Sequence, residues 1–207
     1  MNFKNFETFH GSGIVSIGNY DLSGVCLGKG AFGDVQKACH IKTKTPVALK
    51  LLNLNDLTNP QDQQFLGREA KILLNLRHPN IVRFIEVCNS ANIFCTVFEF
   101  IEGNDLNRYL KKNQGLEESQ AKGIAGQIAA GLAYLHANDV IHRDLKPDNI
   151  MLSGKRVVII DFGFSAKWRR GEIMQCHPGS PDFAAPELFN GDPYYGPPID
   201  IWSFGGK

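Results

Sequence analysis

A glycine-rich segment near the N-terminus, Gly28-Lys29-Gly30-Ala31-Phe32-Gly33, has a spacing suited to binding phosphate. Glycine has no Cβ, so its backbone turns sharply and its N–H groups approach a phosphate closely. A dinucleotide-binding fold would open a helix at these glycines, whereas the residues after Gly33 favour an extended strand. The motif alone also fits a glycine-rich hairpin turn, so its chemistry depends on the residues downstream of it.

A lysine and a glutamate further along the chain could complete a phosphate site. Lys50 ends the β-like run Val47-Ala48-Leu49-Lys50, and Glu69 lies in the amphipathic helix predicted after it. Alternation along a strand places Ala48 and Lys50 on one face, where Ala48 is small enough to lie against a purine. A flexible, strongly hydrated lysine needs a carboxylate to hold it, and Glu69 is the candidate. Two unrelated surface charges are the alternative interpretation.

Three further segments carry the residues best suited to chemistry: Ile141-His142-Arg143-Asp144-Leu145-Lys146-Pro147-Asp148-Asn149, Asp161-Phe162-Gly163 and Ala185-Pro186-Glu187. With these segments in order, the chain resembles the eukaryotic protein kinase family from about Tyr20 to Gly205. The resemblance implies an ATP-dependent serine/threonine protein kinase that transfers the γ-phosphoryl group to protein hydroxyls, with ATP and Mg²⁺ as cofactors.

The resemblance also implies a role for each catalytic residue. Asp144 would orient the substrate hydroxyl and accept its proton, and Lys146 would neutralise the γ-phosphate. Lys50, held by Glu69, would pair with the α and β phosphates.

Metal and nucleotide residues are implied by the same resemblance. Asn149 and Asp161 would supply the hard oxygen ligands that Mg²⁺ prefers. Phe98 would be the gatekeeper beside the adenine. The residues expected to bind the nucleotide are Leu27, Gly28, Lys29, Gly30, Ala31, Phe32, Gly33, Val35, Ala48, Lys50, Glu99, Ile101, Asp105 and Met151.

Two features indicate the subgroup. Lys146, two residues after Asp144, is typical of serine/threonine kinases, and Ser180 in Gly179-Ser180-Pro181 fits that class. The stretch from residue 179 to 205 resembles the calcium/calmodulin and AMP-activated kinase group, including the microtubule-affinity-regulating kinases.

An α+β, two-lobed kinase-like fold is expected to position these residues. Short β-rich runs over residues 20–100 form the predicted N-lobe, with one main helix that begins at Asn59-Pro60 and carries Leu66, Ile72 and Leu76. The sequence predicts that residues 101–207 form a mainly helical, incomplete C-lobe, with a long helix from about Glu117 to Asn138. Residues 1–19 read as an N-terminal extension that could be a flexible tail.

Composition limits the other classes of function. The chain has 207 residues, of which 43% are hydrophobic and 21% charged, which is enough to line a core. A net charge of +1 gives no reason to expect nucleic acid or membrane partners. The five cysteines have irregular spacing that suggests no disulfide framework, and no signal sequence is evident, so a soluble, cytoplasmic protein is expected. ATP and protein substrates are the expected partners, and the oligomeric state stays open.

One departure from the family pattern concerns the activation loop. Cys176 stands where the group usually has a phosphorylatable threonine, and Ser165 is the only hydroxyl residue between Asp161 and Gly179. Arg143, which would pair with that phosphate, would then lack its usual partner. We hypothesise that phosphorylation of this loop does not switch the protein, and that Glu172 or loop packing substitutes.

A second departure is where the sequence stops. The family domain continues with further helices after the segment that contains Asp200, so a C-terminally truncated kinase is expected. Its apolar residues Leu132, Leu135, Ile199 and Trp202 would be left exposed. The alternative function is a truncated, non-catalytic kinase-like module that binds nucleotide or a protein partner.

Overall fold

The computed structural model describes residues 7–10, 13–30, 33–56, 66–90, 92–175 and 179–206. The chain divides into two compact units, one of Met1–Leu74 with Arg83–Ile101 and one of Asn75–Val82 with Glu102–Lys207. Sheet dominates the first unit and helices dominate the second, so the α+β prediction is confirmed.

The first unit contains an antiparallel sheet with the strand order β1-β2-β3-β4-β5-β7-β6. One short helix, α1 (Arg68–Leu73), accompanies it. The strands are β1 (Glu7–His10), β2 (Gly13–Ile17), β3 (Tyr20–Gly30), β4 (Gly33–His40), β5 (Pro46–Asn53), β6 (Phe84–Asn89) and β7 (Ile93–Glu99).

Strand β5 shows how the alternating sequence positions the site. Val47 and Leu49 are buried in the apolar core of the sheet, whereas Ala48 and Lys50 are half-buried on the opposite face. Burial of the two aliphatic side chains fixes the register, because a slip of one residue would exchange the two faces. The side chain of Lys50 therefore lies on the face of β5 that is opposite the apolar core.

The sheet begins earlier than Tyr20, where the sequence analysis placed its start. Strand β2 pairs with β3 through Ser16↔Asp21 and Ile17↔Tyr20, and the side chain of Ile17 is fully buried. The segment interpreted as a possible flexible tail therefore contributes two strands and a core residue.

The helix predicted from Asn59-Pro60 is much shorter among the described residues. Its proposed start lies outside them, and α1 begins at Arg68 after Gly67, whose φ of 70° is left-handed and interrupts a helix. Leu66 and Leu76 lie outside α1, although Leu76 is still buried. Apolar spacing cannot show where backbone dihedrals break a helix.

In the second unit, helices pack with short hairpins. Its elements are β8 (Asn104–Asp105), α2 (Leu106–Asn113), α3 (Glu118–Ala137), β9 (Val140–Ile141), β10 (Ile150–Ser153), β11 (Arg156–Ile159), β12 (Ala166–Lys167), α4 (Pro186–Asn190) and α5 (Pro197–Gly205). Strands β11, β10 and β8 form one small sheet, and β12 pairs with β9.

The expected exposure of apolar residues in this unit is wrong for three of the four. Leu132, Leu135 and Ile199 are buried, and only Trp202 is substantially exposed, at 51%. No helix within the described residues is both long enough and apolar enough to cross a membrane.

Candidate active site

An ion pair in the first unit joins strand β5 to helix α1. Lys50 Nζ lies 3.0 Å from Glu69 Oε2, and both side chains are 12% exposed. Partial burial lowers the local dielectric and weakens screening by salt, so this pair interacts more strongly than a surface pair. The structure thus brings together the lysine and the glutamate that the sequence analysis linked.

The glycine-rich segment forms the connection between β3 and β4, with Gly28 opposite Val35 and Gly30 opposite Gly33. Gly33 has a φ of 112°, and a Cβ there would overlap the carbonyl oxygen of Leu51. By contrast, a Cβ on Gly28 would meet none of the described residues within 4 Å. Packing therefore requires glycine at position 33, whereas the described residues impose no such requirement at position 28. Ala31 and Phe32 lie outside the described residues.

The other nucleotide candidates of the first unit lie along its strands. Phe98 is buried and pairs with Ala48 across β5 and β7. Glu99 donates its N–H to the Arg83 carbonyl at 3.0 Å and accepts the Arg83 N–H through Oε1 at 2.9 Å. Leu27, Val35 and Ala48 are half-buried, Ile101 is buried and Lys29 is exposed.

In the second unit, Asp144 is the centre of a dense polar network. Its Oδ2 accepts hydrogen bonds from Lys146 Nζ at 2.9 Å and from Asn149 Nδ2 at 3.1 Å. Asn149 Nδ2 also donates to the main-chain carbonyl of Asp144 at 2.8 Å. The carboxylate is almost fully buried, so these donors compensate for the water that it has lost.

Ser180 completes this network and was missed as a site residue. Its N–H donates to Asp144 Oδ1 at 2.8 Å, and its hydroxyl oxygen accepts from Lys146 Nζ at 2.7 Å. Gly179 makes the approach possible, because its φ is 115° and a Cβ there would lie 2.5 Å from the Arg143 carbonyl oxygen. In the sequence, only the tripeptide Gly179-Ser180-Pro181 pointed to this residue.

Asp200 on α5 holds the backbone that presents Asp144. Its carboxylate accepts the N–H of His142 at 2.9 Å and that of Arg143 at 2.8 Å, and His136 Nε2 lies 2.8 Å away. Arg143 has a φ of 68°, a left-handed conformation that is costly for a residue with a side chain. The Asp200 carboxylate stabilises this conformation by pairing with two consecutive N–H groups.

The Arg143 side chain has partners that need no phosphate. Its Nε donates to the Phe164 carbonyl at 2.7 Å, and its Nη1 donates to the Tyr194 hydroxyl at 3.2 Å. Glu172, one of the two proposed substitutes, instead accepts the Arg169 N–H at 2.9 Å. That loop packing replaces an activating phosphate stays a hypothesis, and Tyr194 is the residue through which the described contacts would provide it. Cys176 lies outside the described residues.

The two candidate magnesium ligands lie in the same unit, on different segments. The Asn149 amide nitrogen faces Asp144, which leaves the amide oxygen on the other side of the group. Asp161 has a φ of 59° and precedes Phe162, whose ring packs edge-on against His142 at 4.9 Å between centroids. An amide oxygen and a carboxylate are the donors that Mg²⁺ prefers, and phosphate oxygens and water commonly complete its shell. The described residues contain no cluster of three or more His, Cys, Asp or Glu side chains that could hold a metal alone.

Two further nucleotide candidates are neighbours in the small sheet of this unit. Met151 on β10 lies opposite Asp105 on β8. Asp105 also caps α2, because Oδ1 accepts the Arg108 N–H at 2.8 Å and Oδ2 lies 3.1 Å from Arg108 Nε. A hydroxyl of a bound ribose would therefore share this carboxylate with the helix cap.

Comparison with known proteins identifies the chain's relatives. The family model described as "Protein kinase domain" matches residues 23–206. The SNF1-related protein kinase catalytic subunit alpha KIN12 of Arabidopsis thaliana is 39% identical over 188 residues, which are 90% of this chain and 38% of that protein. The serine/threonine protein kinase OSK3 of Oryza sativa subsp. indica is 40% identical over 90% of this chain and 37% of its own length.

These matches confirm the resemblance proposed from the motifs, including the relation to the AMP-activated kinase group. The chain spans a little over a third of the length of the curated relatives that it matches.

Proposed function

This chain belongs to the protein kinase domain family, and we propose that it is a serine/threonine kinase that transfers the γ-phosphoryl group of ATP to protein hydroxyls. The observation that carries the proposal is the Asp144 network. A buried carboxylate, held from three directions by Lys146, Asn149 and the Ser180 N–H, has the fixed orientation that a catalytic base requires.

Asp144 has the central role in the proposed reaction. Its carboxylate orients the serine or threonine hydroxyl of the substrate and takes the proton as the oxygen bonds to the γ-phosphorus. Lys146 donates a hydrogen bond of 2.9 Å to Asp144, which places its ammonium beside the proposed catalytic base. From there it neutralises the charge that develops on the transferred phosphoryl group.

The remaining groups position the nucleotide. Lys50, held by Glu69, binds the α and β phosphates, and the free space at Gly28 lets the backbone lie against them. Asn149 and Asp161 hold magnesium through their oxygens. When bound, this cation neutralises phosphate charge and orients the γ-phosphoryl group.

Turnover is the direct test. Purified protein of residues 1–207 is incubated with Mg-ATP and a generic peptide that contains serine and threonine, and phosphopeptide is measured by mass spectrometry. Asp144→Asn should lower the rate by about 100- to 10,000-fold, as expected for loss of a general base. Asp161→Asn should abolish turnover, whereas Asp182→Asn, a change at an exposed aspartate, should leave the rate unchanged.

The same proteins test the non-catalytic alternative. A rise in melting temperature with Mg-ATP, without any phosphopeptide, would support a nucleotide-binding module instead of an enzyme. Turnover by Asp144→Asn at a rate close to that of the wild type would contradict the role given to that carboxylate.

A further inference from the structure

Two cysteines that are seven residues apart in sequence face each other directly in the sheet of the first unit. Cys88 on β6 and Cys95 on β7 are register partners across the antiparallel pair. Directly opposed residues of such strands have Cα atoms about 4.5 to 5.5 Å apart. A disulfide spans Cα separations of about 4.4 to 6.8 Å, so the strand register places these residues within the Cα range of a disulfide.

The two side chains lie on the same face of the sheet, because directly opposed residues of antiparallel strands are neighbours on one face. The neighbouring Cys88 thiol, ahead of burial, raises the pKa of Cys95. Neither thiol has to leave the core to reach the other.

The two thiols differ in their access to solvent. Cys95 is fully buried among the residues of the sheet's core, whereas Cys88 is half-buried at the margin of the same cluster. Because Cys88 is the more accessible of the two, it is the sulfur that a small oxidant reaches first. Cys95 is then positioned as the second thiol of a two-step reaction.

The other described cysteines lack this arrangement. Cys26 lies opposite Gln36, and Cys39 lies opposite Asp21 and Pro46. Neither has a cysteine as its register partner. This difference provides a matched control within the same sheet.

We propose that Cys88 and Cys95 are a reversible redox modification site, which hydrogen peroxide converts to an intramolecular disulfide. In the first step the Cys88 thiol reacts with one peroxide molecule and gives a sulfenic acid and one water. In the second step the Cys95 sulfur attacks the Cys88 sulfur, the S–S bond forms and a second water leaves. The two thiols lose two protons and two electrons in total, and peroxide takes them up as it is reduced to two waters. A dithiol reductant reverses the change.

Peptide mass spectrometry gives a direct test, because trypsin cleaves after Arg83 and Arg108 and releases residues 84–108 with both cysteines and no others. The full chain is treated with hydrogen peroxide, denatured in N-ethylmaleimide and digested. The expected peptide is two hydrogens lighter than the reduced form and carries no maleimide. After dithiothreitol treatment the same peptide should carry two.

Variants and a stability measurement separate this pair from general thiol oxidation. Cys26→Ser should form the disulfide as the wild type does, whereas Cys88→Ser should not. Oxidation should raise the melting temperature of the wild type by a few degrees, because the bond constrains the unfolded chain, and should not raise that of Cys88→Ser.

Three results would overturn the proposal: two maleimides on the peptide after peroxide, Cys88 recovered as sulfonic acid, or the peptide cross-linked to one that carries Cys26 or Cys39. The wild-type measurement needs no variant to fold. It is also independent of phosphoryl transfer, so failure of the proposed kinase activity would leave it intact.

Discussion

Arg143 donates a hydrogen bond of 3.2 Å from Nη1 to the hydroxyl oxygen of Tyr194, and both residues are buried. Tyr194 also pairs with Met174 through two main-chain hydrogen bonds of 2.9 and 3.0 Å. Tyr194 therefore links the segment that contains Arg143 and Asp144 to the segment around Met174. Its hydroxyl gives the buried guanidinium a neutral acceptor.

Removing that hydroxyl should reduce stability and weaken the alignment of the catalytic loop. Tyr194→Phe keeps the ring in its apolar cluster and removes the hydroxyl that accepts the hydrogen bond from Arg143 Nη1. A hydrogen bond to a charged group contributes about 1.5 to 3 kcal/mol, so the free energy of unfolding in urea should fall by about that amount. Tyr195→Phe, at the exposed neighbouring tyrosine, is the control and should change it by less than about 0.5 kcal/mol. Equal effects at the two positions would contradict this role for Tyr194.

Ser180 should depend on the glycine before it to reach Asp144. Gly179→Ala would place a Cβ 2.5 Å from the Arg143 carbonyl oxygen at a φ of 115°, so the loop must move and the Ser180 N–H must leave the carboxylate. We expect kcat for peptide phosphorylation to fall by about 100-fold, the scale associated with misplacing a reacting group by 1 Å.

Gly171→Ala provides a matched control for this change. Gly171 also has a positive φ, of 85°, but a Cβ there would meet no atom within 4 Å in the part of the chain that the structure describes. The control therefore introduces similar backbone strain without the collision. Comparable losses of kcat in the two variants would show that strain alone, and not the contact with Asp144, explains the effect.

The Lys50–Glu69 pair should contribute more to stability than a surface pair of the same charges. Lys122 Nζ lies 2.8 Å from Glu118 Oε1, but these side chains are 76% and 83% exposed. Glu118→Gln should lower the free energy of unfolding by no more than about 0.5 kcal/mol. Glu69→Gln should lower it by about 1 to 3 kcal/mol, because the change removes a carboxylate charge that lies 3.0 Å from the Lys50 ammonium at a mostly buried site. Chemical denaturation at 50 and 500 mM salt measures the two losses of unfolding free energy. The loss in Glu69→Gln should be the larger at both salt concentrations.

His78 should make the second unit less stable in mild acid. Burial lowers the pKa of this imidazole, whose Nδ1 accepts the Asn80 N–H at 3.1 Å while the ring stacks on Tyr134. The folded state therefore binds the proton less readily than the unfolded state. The contribution of neutral His78 to the free energy of unfolding is complete above about pH 6.5, and it is lost as the pH falls through the lower pKa of the folded state. His78→Gln should show a shallower loss of unfolding free energy between pH 7 and 5, and parallel profiles would contradict the prediction.

Sequence reasoning succeeded where a local period or a motif determines the structure. The alternation Val47-Ala48-Leu49-Lys50 places Lys50 off the core because burial of two aliphatic residues sets the register. It failed at contacts that depend on distant backbone geometry. The bond between Ser180 and Asp144 spans 36 positions and needs the positive φ of Gly179, which no residue pattern specifies.

The cysteine pair was missed for a related reason. Cys88 and Cys95 have an unremarkable spacing in the chain, and only the register of β6 and β7 makes them partners. Register depends on the turn that joins the two strands as well as on their apolar pattern. The spacing alone could not distinguish two directly opposed cysteines from two cysteines whose register differs by one residue.

The glycine-rich segment contains two glycines that should respond differently to the same substitution. Gly33→Ala places a methyl group on the Leu51 carbonyl at a φ of 112°, so we expect the free energy of unfolding to fall by more than about 2 kcal/mol. Gly28→Ala meets no described residue within 4 Å, so its effect on stability should stay below about 1 kcal/mol.

If phosphates occupy the space at Gly28, its methyl group should instead interfere with ATP. We expect KM for ATP to rise at least about 10-fold in Gly28→Ala, which corresponds to about 1.4 kcal/mol of binding, while KM for the peptide stays unchanged. Chemical denaturation and initial rates over a range of ATP concentrations measure the two effects separately. An unchanged KM for ATP would show that the open space at Gly28 does not receive the phosphates.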